Sequence, residues 1–528
     1  MTRVWFVRIM VASITWANLF IVQLAAAEPR QLPVPARPDT LELLIIRQKS
    51  VVRLRINVES SPTVTASRQA AFQKLFAFLD RNNDGVLTPD EAKRLPTPFA
   101  LRHILWGVFV PSAGLGAPWE ELDANSDGRV NLDEMTTYYH RPGLPGILAG
   151  YGQAPHSNQL TDALWKQLGI GEKSTFDEKT WTAGREKLQH LDANDDELIG
   201  PSELVPRITY PGINATTLLT PQSGSARSVL MLSGETSDSA WVDSVFTQLD
   251  ANRDQFLSPT EIGFQAGSFQ MLDQNGDNRL DSGELAEWPT LPPDSELRVK
   301  LADANARDSS PSTSQRLGAV VVSLSPDPGL LSDQWTQARK RLQVQFTQAD
   351  ENGDQLLVPA ETLNPNESEL RSLLHWADRD RDGKLTASEL AGWLEIQDAF
   401  VRSVVFVSVL DLGAGLFECL DRNRDGSLSI RELRSGWARM SELGTLENNQ
   451  FQRGQLPRQI SLTVSRGLPL HVLARPLFAG PDWFLAMDRN RDGDVSRREF
   501  TGPANLFEKL DQNRDGLLDA SEVLIPKK

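Results

Sequence analysis

The sequence predicts a mainly α fold of about ten tandem helix–loop–helix units, several of them paired. Short β-strands are interspersed and are expected to collect into one or two small sheets. Three observations carry this. A twelve-residue pattern with acids or amides on every second residue recurs ten times in 528 residues. Directly before many copies, two large apolar residues stand at the i, i+3 spacing of one helix face, as in Phe76 and Leu79, Phe246 and Leu249, or Phe507 and Leu510. Between the copies lie short runs rich in Val, Ile and Leu, which read as strands.

Taken in order, residues 1–27 carry Arg3 and Arg8, a mostly apolar run from Ile9 to Leu24 and a small-residue end, Ala25 to Ala27. That is the layout of a secretory signal peptide cut after Ala27, the run being short for a span of ~20 residues. Residues 28–62 are expected to hold a β-hairpin, "LELLII" (41–46) and "VVRLRINV" (51–58) turning at Gln48 and Lys49. Arg53, Arg55 and Asn57 alternate with Leu54, Ile56 and Val58, which predicts one solvated face. Then follow a loop pair (63–150), a single loop (151–210), a pair (227–300), a strand plus pair (316–398), a strand plus single loop (399–443) and a strand plus pair (458–528). The strand candidates are "SVLML" from Ser228, "AVVVSL" from Ala319, "SVVFVSVL" from Ser403 and "ISLTV" from Ile460. Pro211–Arg227, Asp303–Gln315 and Gly444–Pro457 are rich in turn formers and read as linkers.

The ten loops are specific in their places. Places 1, 3, 5 and 12 are Asp80, Asn82, Asp84 and Glu91 in the first loop and Asp123, Asn125, Asp127 and Glu134 in the second. The third has Asp192, Asn194, Asp196 and Glu203; the fourth Asp250, Asn252, Asp254 and Glu261; the fifth Asp273, Asn275, Asp277 and Glu284. The sixth has Asp350, Asn352, Asp354 and Glu361; the seventh Asp378, Asp380, Asp382 and Glu389; the eighth Asp421, Asn423, Asp425 and Glu432. The ninth has Asp488, Asn490, Asp492 and Glu499, and the tenth Asp511, Asn513, Asp515 and Glu522. Place 8 is aliphatic in every copy. Six copies keep Gly at place 6, where a sharp bend needs positive φ. Asn278 takes that place in the fifth loop, and Asn tolerates the same conformation. Gln255 and Gln355 take it at some cost, and Glu197 makes the Asp192 loop the weakest. Seven loops are therefore expected to be complete, two weaker and one structural only.

Oxygen side chains at this spacing suit a hard cation that takes six to eight oxygens. The loops resemble those of the EF-hand superfamily, and the resemblance implies calcium as the ligand. It implies single oxygens from places 1, 3 and 5, the carbonyl of place 7, a water at place 9 and both oxygens of Glu at 12. It also implies that place 8 joins paired loops through a short β-bridge. The overall texture, including "LFAFLDRNNDGVLTPDEAKRLPTPF", is similar to exported multi-EF-hand proteins of planctomycete-type bacteria. The separations Asp250–Asp273 and Asp488–Asp511 are 23 residues each, as in calcium-dependent dockerin modules, but Glu499, Glu522, Phe484 and Phe507 argue for true EF-hands. The loops from Asp192 and Asp421 show no obvious mate. Several loops carry Arg at places 2 or 4, such as Arg422, Arg424, Arg489 and Arg491, expected to point outward and soften repulsion. Affinities of about 10⁻⁵ to 10⁻³ M are expected by analogy with extracellular modules.

Charge sets the other bounds. Formal net charge is −16, so nucleic acid and anionic membranes are unexpected partners and cations are expected ones. No further long apolar run follows the signal, so no membrane association is expected after cleavage. There is no HExxH, GxSxG or CxxC. "GIGEKST" (169–175) has Glu172 where a phosphate loop needs Gly, and the six His are scattered. No enzyme activity is expected. Asn214 and Asn366 sit in glycosylation-type triplets. Cys419, the one cysteine, is expected to be a buried small side chain. The expected function is exported calcium binding that stabilises the fold or buffers the ion, with calcium-dependent docking to a protein partner as the alternative. Only seven Met are present, which suits a Met-rich target groove poorly.

Overall fold

The structure is a computed structural model that describes residues 39–47, 50–108, 116–140, 146–170, 175–213, 218, 229–232, 240–264, 266–301, 313–327, 333–363, 368–469, 472–473 and 480–524. Residues 1–27, expected as a signal peptide, the expected turn at Gln48 and Lys49, Asn214 and Asn366 lie outside them, as does most of the Pro211–Arg227 and Asp303–Gln315 segments.

Two sheets, not helices, form the centre. Their strands are β1 (Thr40–Arg47), β2 (Ser50–Ser60), β3 (Ile147–Gln153), β4 (Val229–Leu232), β5 (Ser295–Leu301), β6 (Thr313–Leu317), β7 (Val320–Asp327), β8 (Val405–Gly413) and β9 (Arg458–Arg466). The four-stranded sheet has the order β4-β1-β2-β5, and the five-stranded sheet β3-β8-β9-β7-β6. β1 and β2 form the expected hairpin, Arg47 opposite Ser50. β2–β5, β3–β8 and β7–β9 are parallel. Parallel neighbours need long crossovers, and here loop pairs supply them. The chain between the parallel partners β7 and β9, for example, holds the Asp350, Asp378 and Asp421 loops.

The expectation of a mainly α fold is thus overturned by these sheets. The reason lies in the helices. Those leaving several loops last about one turn, as in Pro89–Ala92, Pro201–Leu204, Pro259–Ile262 and Ala520–Val523. The strands run to eleven residues in β2. Helices of one turn bury little surface each, and the strands supply the central core to which the pairs attach. One face of each sheet packs into a common core through Leu43, Leu54, Ile56, Val299, Val322, Val407, Leu462 and Val464.

Each outer face carries a loop pair. Leu44, Ile46 and Val51 pack on the Asp250/Asp273 pair through Val245, Leu257, Leu280 and Trp288. The expected solvated face of β2 is therefore covered. Arg53 is fully buried and donates to the carbonyls of Trp288 and Leu291; Arg55 is buried between Glu42 and Glu296. The outer face of the five-stranded sheet is unusually polar, with Ser323, Ser408, Gln459, Ser461, Thr463 and Ser465 all buried.

The remaining pairs associate with one another. The Asp80/Asp123 and Asp350/Asp378 pairs share one core, in which helix Val64–Leu79 packs on Ala387–Arg402. Phe72 meets Phe400 edge-on at 5.3 Å, and Trp376 stacks on Trp393 at 5.6 Å. The Asp488/Asp511 pair has its own small core of Phe484, Val495, Phe500, Phe507 and Leu518. Among the described residues, no helix is long and apolar enough to cross a membrane.

Candidate metal centres

All ten loops take one shape. Residues at place 6 have positive φ whatever they are: 83° at Gly85, 63° at Asn278, 65° at Gln255, 64° at Gln355 and 66° at Glu197. Place 4 is positive too, from Asn83 at 56° to Arg381 at 68°, with Gly276 and Gly353 at 73°. The place-4 requirement escaped the sequence reading, although its signal was there: Gly, Asn, Asp, Ser or Arg, and never a β-branched residue.

Four hydrogen bonds recur in every loop. The place-6 amide donates to the place-1 Asp at 2.8–3.3 Å. The place-5 amide donates to the place-3 side chain at 2.7–3.1 Å. The place-7 amide donates to the place-5 Asp at 2.8–3.0 Å. The place-9 amide donates to the place-12 Glu at 2.8–3.1 Å. Each anion is thus fixed by a backbone donor while lone pairs stay free for a cation. The Asp192 loop, expected to be structural only, has the same four bonds.

A capping box lies inside several loops and was not read from the sequence. Thr88, Ser258 and Thr386 at place 9 donate their hydroxyls to Glu91, Glu261 and Glu389 at 2.7–2.8 Å. The Glu that would bind a cation with both oxygens is therefore oriented in advance.

The place-8 residues join the loops in five pairs. Leu87 pairs with Val130, Leu257 with Leu280, Leu357 with Leu385, Leu428 with Ile199, and Val495 with Leu518. Each is at most 2% exposed. The loops from Asp192 and Asp421, expected to stand singly, are each other's mate. Sequence spacing hid this because their place-8 residues lie 229 positions apart.

The residues fit a cation best in the Asp421 loop. Asp421 is 1% exposed and its Oδ1 is buried without a hydrogen-bond partner. Burial first, then Asp425 and Glu432, pushes the Asp421 carboxyl well up. Burial and Asp425 likewise push Glu432 up to about 7. Burial drives Asp492 to about 7 in the Asp488 loop, with Asp494, Asp488 and Glu499 adding repulsion. Crowded, desolvated carboxyls of this kind are stabilised as anions by a divalent cation. In the Asp378 loop, carboxylate oxygens of Asp378, Asp380 and Asp382 lie within 4.8 Å of one another.

Two expectations about flanking residues divide. Arg422, Arg489 and Arg491 are not buried, but Arg424 turns inward. It donates to the Glu418 carbonyl, Gln459 Oε1 and Ser323 Oγ, tying its loop to the polar face of the five-stranded sheet. Cys419 is buried, and burial raises its thiol to about 12.

A family model described as EF hand matches residues 72–95, 264–287, 370–392, 412–437, 482–501 and 504–523. These segments hold the loops from Asp80, Asp273, Asp378, Asp421, Asp488 and Asp511, so each of the five pairs has a matched member. No solved structure matches the chain.

Proposed function

Because the chain belongs to the EF-hand superfamily, we propose that it is an exported calcium-binding protein whose ions hold five loop pairs against a two-sheet core. One observation carries the reading: the same four hydrogen bonds fix the acids of all ten loops, whatever stands at place 6. Places 1, 3, 5 and 12 supply the oxygens, and the place-7 carbonyl completes the set. In the Asp421 loop the ion would neutralise the buried Asp421 and Glu432 and the half-buried Asp425, whose crowded charges otherwise oppose folding. The role is binding, with no catalytic step. Export rests on residues 1–27 alone.

A second reading, docking to a protein partner in calcium, is favoured by one feature. The C-terminal pair leaves Trp483, Leu485, Leu506 and Leu524 exposed.

The test is a calorimetric calcium titration of residues 28–528 after chelator treatment, with tryptophan fluorescence read in parallel. Six or more sites and a large folding signal are expected. Absence of binding at millimolar calcium overturns the proposal.

A further inference from the structure

The two loop pairs nearest the C-terminal end of the fold meet through arginines at one loop position. Place 11 is the last loop residue before the Glu ligand and is not itself a ligand position. Arg498, at place 11 of the Asp488 loop, bonds Asp195 and approaches Glu197 at 3.7 Å, places 4 and 6 of the Asp192 loop. Asp90, at place 11 of the Asp80 loop, bonds Arg381 at 2.7 Å, place 4 of the Asp378 loop. Neither contact touches a ligand position of the neighbouring loop.

Arg431, at place 11 of the Asp421 loop, differs. Its Nε lies 2.7 Å from Asp494, its Nη1 3.2 Å from Asp515 Oδ2 and its Nη2 3.7 Å from Asp519. Asp515 is place 5 and Asp519 place 9 of the Asp511 loop, both ligand positions. Asp515 Oδ1 already accepts the Leu517 amide at 2.9 Å, and Oδ2 also takes Asn513 Nδ2 at 3.1 Å. A cation that engages Asp515 through Oδ2 therefore competes with the guanidinium there, and one on Oδ1 lies beside it. The same guanidinium holds the C-terminal pair to helix Ile430–Glu442, where Arg434 adds a bond to the Asp515 carbonyl. Arg94 makes the corresponding contact elsewhere, on Asp378 Oδ2 at 3.2 Å.

We propose that Arg431 is a built-in counter-cation of the Asp511 loop, which lowers that loop's calcium affinity and couples ion entry to release of the C-terminal pair from helix Ile430–Glu442. The inference rests on the calcium reading above. A guanidinium within 4 Å of a ligand carboxylate repels an incoming divalent ion, screened by the one-third exposure of the arginine.

The experiment follows backbone amide signals of the full chain during calcium titration. Gly516 donates to Asp511 Oδ2 at 3.0 Å and reports on the Asp511 loop; Gly85 does so for the Asp80 loop. In Arg431→Gln the Gly516 midpoint is expected at about three- to tenfold lower calcium, with Gly85 unmoved. Arg431→Lys, which keeps the charge but fewer donors, is expected between the two and covers the event that the Gln variant misfolds. In chelator, amide exchange of residues 504–523 is expected to quicken in Arg431→Gln and in Arg498→Gln. Only the former is expected to shift Gly516. An unmoved Gly516 midpoint in Arg431→Gln overturns the inference, and so does an equal shift in Arg498→Gln, which would mark general loosening. If Gly85 and Gly516 both titrate, the calcium reading stands whichever way Arg431 falls. If no loop titrates in any variant, both readings fall.

Discussion

The Asp250/Asp273 pair and the Asp192/Asp421 pair perform the same task on opposite sides of the core, in different surroundings. Each covers the outer face of a sheet, and each is tied there by a buried arginine. Arg53 reaches from the four-stranded sheet to two carbonyls of its pair; Arg424 reaches from its loop to the five-stranded sheet. Yet the Asp250 and Asp273 loops lie open to solvent, whereas Asp421 is enclosed. At the same place 12, the Ser258 amide and hydroxyl hold the Glu261 carboxyl below its ordinary value, while burial lifts Glu432 to about 7. The loop supplies the ligands, and its surroundings decide how strongly protons compete for them.

Removing the arginine ties tests the comparison most severely. Arg424→Leu strands three buried acceptors and is expected to cost about 4 kcal/mol in chemical denaturation; Arg53→Leu strands two and costs about 3. Similar small losses for both would mean that apolar contact alone seats the pairs. Next comes Glu432→Gln in chelator at pH 8. It removes a buried negative charge and is expected to raise stability by about 2–3 kcal/mol, while Glu261→Gln gives no gain. In excess calcium both variants are expected to lose their own site.

Acidity separates the pairs in a third way. The folded ion-free chain holds the Glu432 proton more tightly than the unfolded chain, since its carboxyl moves up from 4.5 to about 7. Stability from this group is present below 4.5 and is lost as pH rises through about 7. Calcium must displace that proton below pH 7, so affinity at the Asp421 loop is expected to fall about tenfold from pH 7 to 6. The Asp250 loop is expected to hold its affinity across that unit. Isothermal titrations at the two values decide this, with Asp421, Asp425 and Glu432 titrating as a group. The smallest effect belongs to Arg279→Gln, which removes an exposed ion pair to Asp254 at 3.7 Å. It should change the melting free energy by less than about 0.5 kcal/mol.

The loops were legible because each reports itself within twelve residues: acids at fixed places, an aliphatic at place 8 and Glu at 12. Strands β1, β2, β4, β7, β8 and β9 were legible from Val- and Ile-rich runs. β5, "SELRVKL", alternates buried and exposed along its length and could have been found by period alone. β6, "TSQRL", begins inside the expected linker Asp303–Gln315, runs two residues past it and has no apolar pattern to betray it. β3, "ILAGYGQ", carries two glycines, at which an added Cβ would meet Leu218 or Ile213 at under 3 Å, so close packing placed glycine where strand propensity disfavours it. Mates far apart in sequence leave no local trace, and neither does the cover that turns Arg53 from a solvated residue into a buried one.

The bridge between Ile199 and Leu428 has a consequence for how the molecule comes into being. A ribosome delivers the first of these residues long before the second, and the parallel partners β2 and β5 are separated by a similar stretch. Chains dominated by such distant contacts close large entropic loops before any contact rewards them, and so fold slowly. No cut between residues 200 and 427 leaves both halves of that bridge on one fragment. Shortened versions that keep whole loops, but not their mates, should therefore expose place-8 edges and associate with one another in solution.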